Sequence, residues 1–206
     1  MVNDKMVNKP SKVMLNKNEK LQKLLDTAFN LFTDKGIKHT SIQDIVDNAG
    51  VAKGTFYLYF KDKYEIQNHL LVRTSSRIFE SALKATEKEN FTRLDDEIVF
   101  IVNYIIDYLI SNPVLLNFIQ KNLSLGLYSE KISELIDSKE FNFESLFLSK
   151  IEKYQLDIKH PKVTLYMIIE LVSSTVFSSI VKEQPLPIQE YKPILYETIK
   201  KIIDEK

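Results

Sequence analysis

The chain contains no cysteine. That excludes disulfides and thiolate metal sites, and with them a small secreted scaffold held by bridges. Nothing stands against a reducing cytoplasm, the expected compartment. Histidine is nearly as scarce, with only His39, His69 and His160. These show no metal-ligand spacing, and no glycine-rich phosphate loop appears. An enzyme is not expected; no catalytic residue, metal or cofactor is assigned. Glycine occurs four times in 206 residues, so little besides proline breaks a helix, and apolar residues recur at three- and four-residue steps nearly throughout. No strand-like alternation stands out, and the expected class is all-α with about nine helices.

Charge of one sign is also missing, since 28 Lys and Arg balance 28 Asp and Glu. The distribution is uneven, however. Up to Arg73 there are 12 basic residues against 8 acidic ones, a mild hint of a polyanionic partner for that end. Residues 1–17 are polar and lysine-bearing, without the apolar segment of a secretory signal, and read as a flexible arm. Two apolar stretches, 98–120 and 163–181, hold one charge each, Asp107 and Glu170. Ser111-Asn112-Pro113 interrupts the first, and four serines make the second polar, so buried core helices are expected rather than membrane spans.

Gly36, Gly50 and Gly54 fall within nineteen residues of one another, and they punctuate the most informative segment. A helix over about 18–35 carries Leu21, Leu24, Leu25, Ala28, Leu31 and Phe32 on one stripe, and Gly36 ends it. Thr40-Ser41-Ile42-Gln43 reads as a capping box that starts a short helix with Ile42, Ile45, Val46 and Ala49 inward. After a tight turn at Gly50, a second short helix spans about 52–59, and Asp62 with Glu65 caps a long helix to about 87. Further helices are expected over about 93–110, 113–123, 129–137, 143–154, 161–182 and 189–204, with Pro193 tolerated only in the last one's first turn.

Two short helices joined by a glycine turn, behind a longer scaffold helix, are the arrangement that lays one helix in a DNA major groove. On the second short helix Val51, Phe56 and Phe60 can face the core while Lys53, Gly54, Thr55 and Tyr57 face outward. Gly54 costs about 1 kcal/mol of helix stability relative to alanine, which has a motive if the backbone must approach a base or phosphate. From Leu24 to Leu71 the residues Ala28-Phe29, Leu31-Phe32, Gly36, Thr40-Ser41-Ile42, Ile45, Ala49-Gly50-Val51-Ala52-Lys53-Gly54-Thr55-Phe56-Tyr57 and Tyr59-Phe60-Lys61-Asp62-Lys63 resemble the DNA-binding domain of the TetR family. Leu58 and Tyr59 depart from it where members often carry histidine.

The resemblance implies a helix-turn-helix DNA-binding domain over 18–64 and a helical ligand-binding and dimerisation domain over 65–206. It implies that Lys53, Gly54, Thr55 and Tyr57 face bases and nearby phosphates of double-stranded DNA, a palindromic operator, while Thr40, Ser41, Tyr59 and Lys63 anchor the backbone. The plainer reading makes the tyrosines core aromatics and Lys63 a solvated charge. None of the three arginines lies in the motif, so bidentate arginine-to-guanine readout is absent from it. The family also implies a homodimer through the last two helices.

In the second half, Phe100, Asn103, Tyr104 and Asp107 share one helix face, and Ile98, Ile101, Val102, Ile105 and Leu109 share another. The first face mixes apolar bodies with a few polar groups, as small-molecule pockets do, and the second reads as core. Tyr166 and Glu170 form a similar row, and Phe118 and Phe147 complete the candidate effector site. Asp107 and Glu170 either meet an internal partner or await a ligand, because a buried carboxylate is costly unpaired. The expected function is a transcriptional regulator, a repressor released by a small molecule; the alternative is a nucleoid or division-control factor without such a ligand.

Overall fold

The computed structural model describes residues 12–120, 122–124 and 143–204. Among them there is no strand, and the helices are α1 (Lys12–Asp34), α2 (Ile42–Ala49), α3 (Lys53–Tyr57), α4 (Lys63–Thr86), α5 (Leu94–Ser111), α6 (Pro113–Ile119), α7 (Phe143–Lys153), α8 (Pro161–Val181) and α9 (Ile188–Asp204). The all-α reading holds. The helix expected over 129–137 lies outside the described residues. The first helix begins at Lys12, six residues ahead of the expected start at 18. Pro193 sits one turn deeper than expected: Tyr191 N–H already bonds the Pro187 carbonyl, so the helix starts ahead of it.

Two compact units divide between Leu70 and Leu71. The first holds α1, α2, α3 and the start of α4. Its buried set is Leu24, Leu25, Ala28 and Phe32 from α1, Ile45 and Val46 from α2, and Phe56, Phe60, Ile66 and Leu70 beyond. Phe56 and Phe60 pack ring to ring at 5.6 Å, and Phe60 meets the edge of His69 at 5.2 Å. Gly36 and Gly50 take φ of +81° and +65°. Both are left-handed helix ends that favour glycine.

The second unit contains the rest of α4 and α5 to α9. Leu94, Val102 and Ile106 pack with Phe147, Ile151, Ile168, Val172, Val176, Leu195, Ile199 and Ile203. Along its α5–α9 seam the polar groups pair in sequence-reversed order, so the two helices run antiparallel. Arg93 forks onto Asp95 at 2.9 Å and reaches Asp204 at 3.0 Å. Lys200 bonds Asp96 at 2.5 Å. Lys192 contacts Asp107 and, at 2.9 Å, the Asn103 carbonyl oxygen, which also accepts from the Tyr196 hydroxyl at 2.6 Å. Burial, then the neighbouring Asp107, pushes the Tyr196 hydroxyl up to about 12. Helix α8 is long and apolar enough to cross a membrane by length and composition, but part of it is buried against α5, α7 and α9.

Candidate nucleic-acid interface and apolar cavity

The capping of α2 sits one residue later than the sequence reading placed it. Ser41 is the N-cap; its hydroxyl accepts from Asp44 N–H at 3.0 Å, and the Asp44 carboxylate accepts from Ser41 N–H at 2.8 Å. Ser41 backbone bonding, then Lys35 at 3.0 Å, holds Asp44 down at about 2. The displaced Thr40 turns inward. It is almost fully buried, its hydroxyl donating to the Gly36 carbonyl at 2.9 Å, and Gln43 bonds Asp47 instead. Both residues can cap; Asp44 beside Lys35 decides for Ser41.

Lys63 also differs from expectation. Its ammonium donates to the carbonyls of Ile37 at 2.8 Å and Thr40 at 2.9 Å, with Lys38 at 3.4 Å. Three carbonyls converge at the end of the α1–α2 loop, and a compact ammonium satisfies them together. Thr40 and Lys63 thus position the loop rather than offer free donors outward. Tyr59 is half-buried, and its hydroxyl donates to the Lys17 carbonyl at 2.9 Å, tying the end of α3 to α1. Asp62 caps α4 through Tyr64 and Glu65 N–H at 2.9 Å, and Glu65 reaches back to Lys61 N–H.

With this frame fixed, α3 has little freedom. Phe56 is fully buried, and Thr55 is half-buried. Lys53, Gly54, Tyr57 and Leu58 face solvent, the last two at 53% and 77% exposure. No atom lies within 4 Å of where a Gly54 side chain would begin. Leu58 was not among the expected site residues, yet it follows Gly54 by one turn and shares the same outward face. The signal was in the spacing.

The second unit holds an apolar cavity of about 80 Å³. Its lining departs from the sequence reading. Ile98, Ile101, Val102 and Ile105, read as core, stand on its wall, together with residues of α4, α7 and α8. Of the expected effector residues only Phe147 lines it. Asn103 and Asp107 face α9 instead, bonded to each other at 2.9 Å and to Lys192. Phe100 meets the ring of Phe91 at 5.4 Å. Tyr104 and Glu170 are half-buried, Phe118 is buried on α6, and Tyr166 is exposed, all off the cavity wall. A partner 85 residues away claimed the polar face of α5, leaving the aliphatic face to border the void.

Residues 24–70 match the family model described as bacterial regulatory proteins, tetR family. That match places the TetR-family likeness on the helix-turn-helix segment. Over 63 residues it is 43% identical to the HTH-type transcriptional regulator YvdT of Bacillus subtilis (strain 168), a stretch covering 29% of this chain and 32% of YvdT. The chain thus spans about a third of that relative's length. An HTH-type transcriptional regulator of Staphylococcus aureus (strain USA300) is 25% identical over 179 residues, 86% of this chain and 90% of its own. The fold matches the Bacillus subtilis transcriptional regulator FadR, solved with stearoyl-CoA, with a TM-score of 0.58 at 17% identity, covering 89% of this chain and 98% of that one. The strong sequence likeness thus sits on the helix-turn-helix, and the rest is similar mainly in fold.

Proposed function

We propose that the chain is a DNA-binding transcriptional repressor, acting as a homodimer on a palindromic operator in the cytoplasm and released by a small molecule. The observation that carries this is α3: one fully buried phenylalanine anchors it, and Lys53, Gly54, Tyr57 and Leu58 are turned outward on a face a major groove can accept. Ser41 and Thr55 are read as further contacts of that face, while Thr40, Tyr59 and Lys63 fix the backbone around it. Family members bind DNA operators and typically dimerise. A single short helix reads few bases, so two copies engage two half-sites.

Ile169, Val172, Ser173 and Val176 of α8 and Leu195, Ile199 and Ile203 of α9 are buried within their own unit. Exposed instead are Val163, Tyr166, Met167 and Val181 of α8 and Ile194 of α9, an apolar surface that supports self-association. The apolar lining of the cavity supports the effector reading over the ligand-free alternative.

The test selects an operator from a random duplex library and measures binding at several salt concentrations. Lys53→Ala is expected to lose about 1–3 kcal/mol on the operator and much less on scrambled duplex. An unchanged ratio between the two removes Lys53 from base readout. In sedimentation, Met167→Glu should turn a dimer into a monomer; a monomeric wild type at micromolar concentration overturns the dimer.

A further inference from the structure

The cavity wall is chemically lopsided. Of its sixteen described lining residues, all but Ser75 and Lys150 are apolar. Lys150 is already matched: its ammonium contacts Glu97, a buried carboxylate whose other oxygen accepts from the Tyr154 hydroxyl at 2.9 Å. The charge on the wall is therefore neutralised by the protein itself. Ser75 is the opposite case. It is 1% exposed, and its hydroxyl has no hydrogen-bond partner among the described residues. A buried hydroxyl without a partner is destabilising, and Ser75 is one of the residues of the cavity wall.

We infer that the cavity takes a neutral, hydrocarbon-rich molecule with one hydrogen-bonding group, a hydroxyl or a carbonyl, which meets the Ser75 hydroxyl. This deepens the effector reading above and rests on it. Among the described residues, a free carboxylate would meet no unmatched cation and an ammonium no unmatched acid on the wall. A purely hydrocarbon molecule would fill the space and leave Ser75 as it is.

Four probes with one chain length separate these classes: 1-dodecanol, dodecane, dodecanoate and dodecanoyl-CoA, each titrated calorimetrically into the full chain. 1-Dodecanol is expected to bind most tightly. Ser75→Ala should weaken 1-dodecanol about three- to tenfold and leave dodecane unchanged. The same substitution, without ligand, should keep or raise the melting temperature, because it removes an unpartnered polar atom. That opposite movement of stability and affinity is not expected of a merely structural serine.

If Ser75→Ala lowers the melting temperature and leaves 1-dodecanol affinity intact, the anchoring role is wrong. If dodecanoate or its CoA ester binds more tightly and releases operator DNA, the neutral class is wrong while the effector reading stands. If none of the four binds and the chain still holds its operator, the cavity is no hydrocarbon site and both the inference and the effector reading fall.

Discussion

The two units handle polar side chains in contrasting ways. Up to Leu70, polar groups are drawn inward to fix backbone geometry: Thr40 is buried on the Gly36 carbonyl, Lys63 gathers loop carbonyls, and Tyr59 holds Lys17. Beyond Leu71, the α5–α9 charges are kept to a seam while aliphatic side chains border an unfilled space. A surface that holds Lys53, Gly54, Tyr57 and Leu58 outward at fixed positions needs a frame without slack. On the effector reading proposed above, the chamber needs walls that do not consume their own volume. The difference between filled and unfilled interiors is measurable.

The sharpest way to break that contrast is to open a hole in the filled unit. Phe56 has no exposed surface and supports the ring of Phe60, so Phe56→Ala is expected to cost about 3–5 kcal/mol. Chemical denaturation monitored at residues of the first unit should show it; a loss under about 1 kcal/mol would mean the unit is not packed as described. Lys63→Met comes next. It leaves the Ile37 and Thr40 carbonyls without their charged donor, for a loss of about 1–3 kcal/mol, and should weaken DNA binding with little change in the salt slope. A slope reduced by about one unit would instead make Lys63 a phosphate contact.

Adding bulk to the unfilled unit should be gentle by comparison. Leu165 stands on the cavity wall, and Leu165→Phe is expected to shift stability by less than about 1 kcal/mol, below the 1–3 kcal/mol typical of overpacking a solid core. A larger loss in the same denaturation assay would show the void to be occupied by its own walls.

The smallest effect concerns pH. Burial holds the His69 imidazole below its ordinary 6.5, with Glu65 opposing. The neutral ring is favoured in the fold, and the unfolded chain takes the proton first. Stability is therefore present above pH 6.5 and declines as pH falls below it, until the folded ring protonates too. Denaturation midpoints between pH 7.5 and 5 should show this slope in the wild type and lose it in His69→Leu. An equal slope in both assigns it elsewhere.

The sequence made the first unit far more legible than the second. Its glycines, caps and apolar stripe act over a few residues, so their meaning is local, and the slip of Thr40 for Ser41 as cap came from two neighbouring residues with the same capping chemistry. The helices of the second unit were found from the same periodicity. Which face of α5 borders the cavity was not legible, because that depends on Lys192 and Tyr196, far along the chain. A face with mixed polarity announces that it meets something. It does not say whether that is a ligand or another helix.

The α5–α9 seam does more than join two helices. Exposed ion pairs contribute about 0–1 kcal/mol each, so their value lies in register. Were α9 to slide one turn in one direction, Lys200 would be brought toward Arg93; one turn in the other, Asp204 would be brought toward Asp96. Apolar packing alone tolerates such a slip, since isoleucine and leucine recur at every turn. The charges act as a vernier, making one alignment acceptable and its neighbours repulsive, and so set where the apolar face of α5 stops along the chamber it lines.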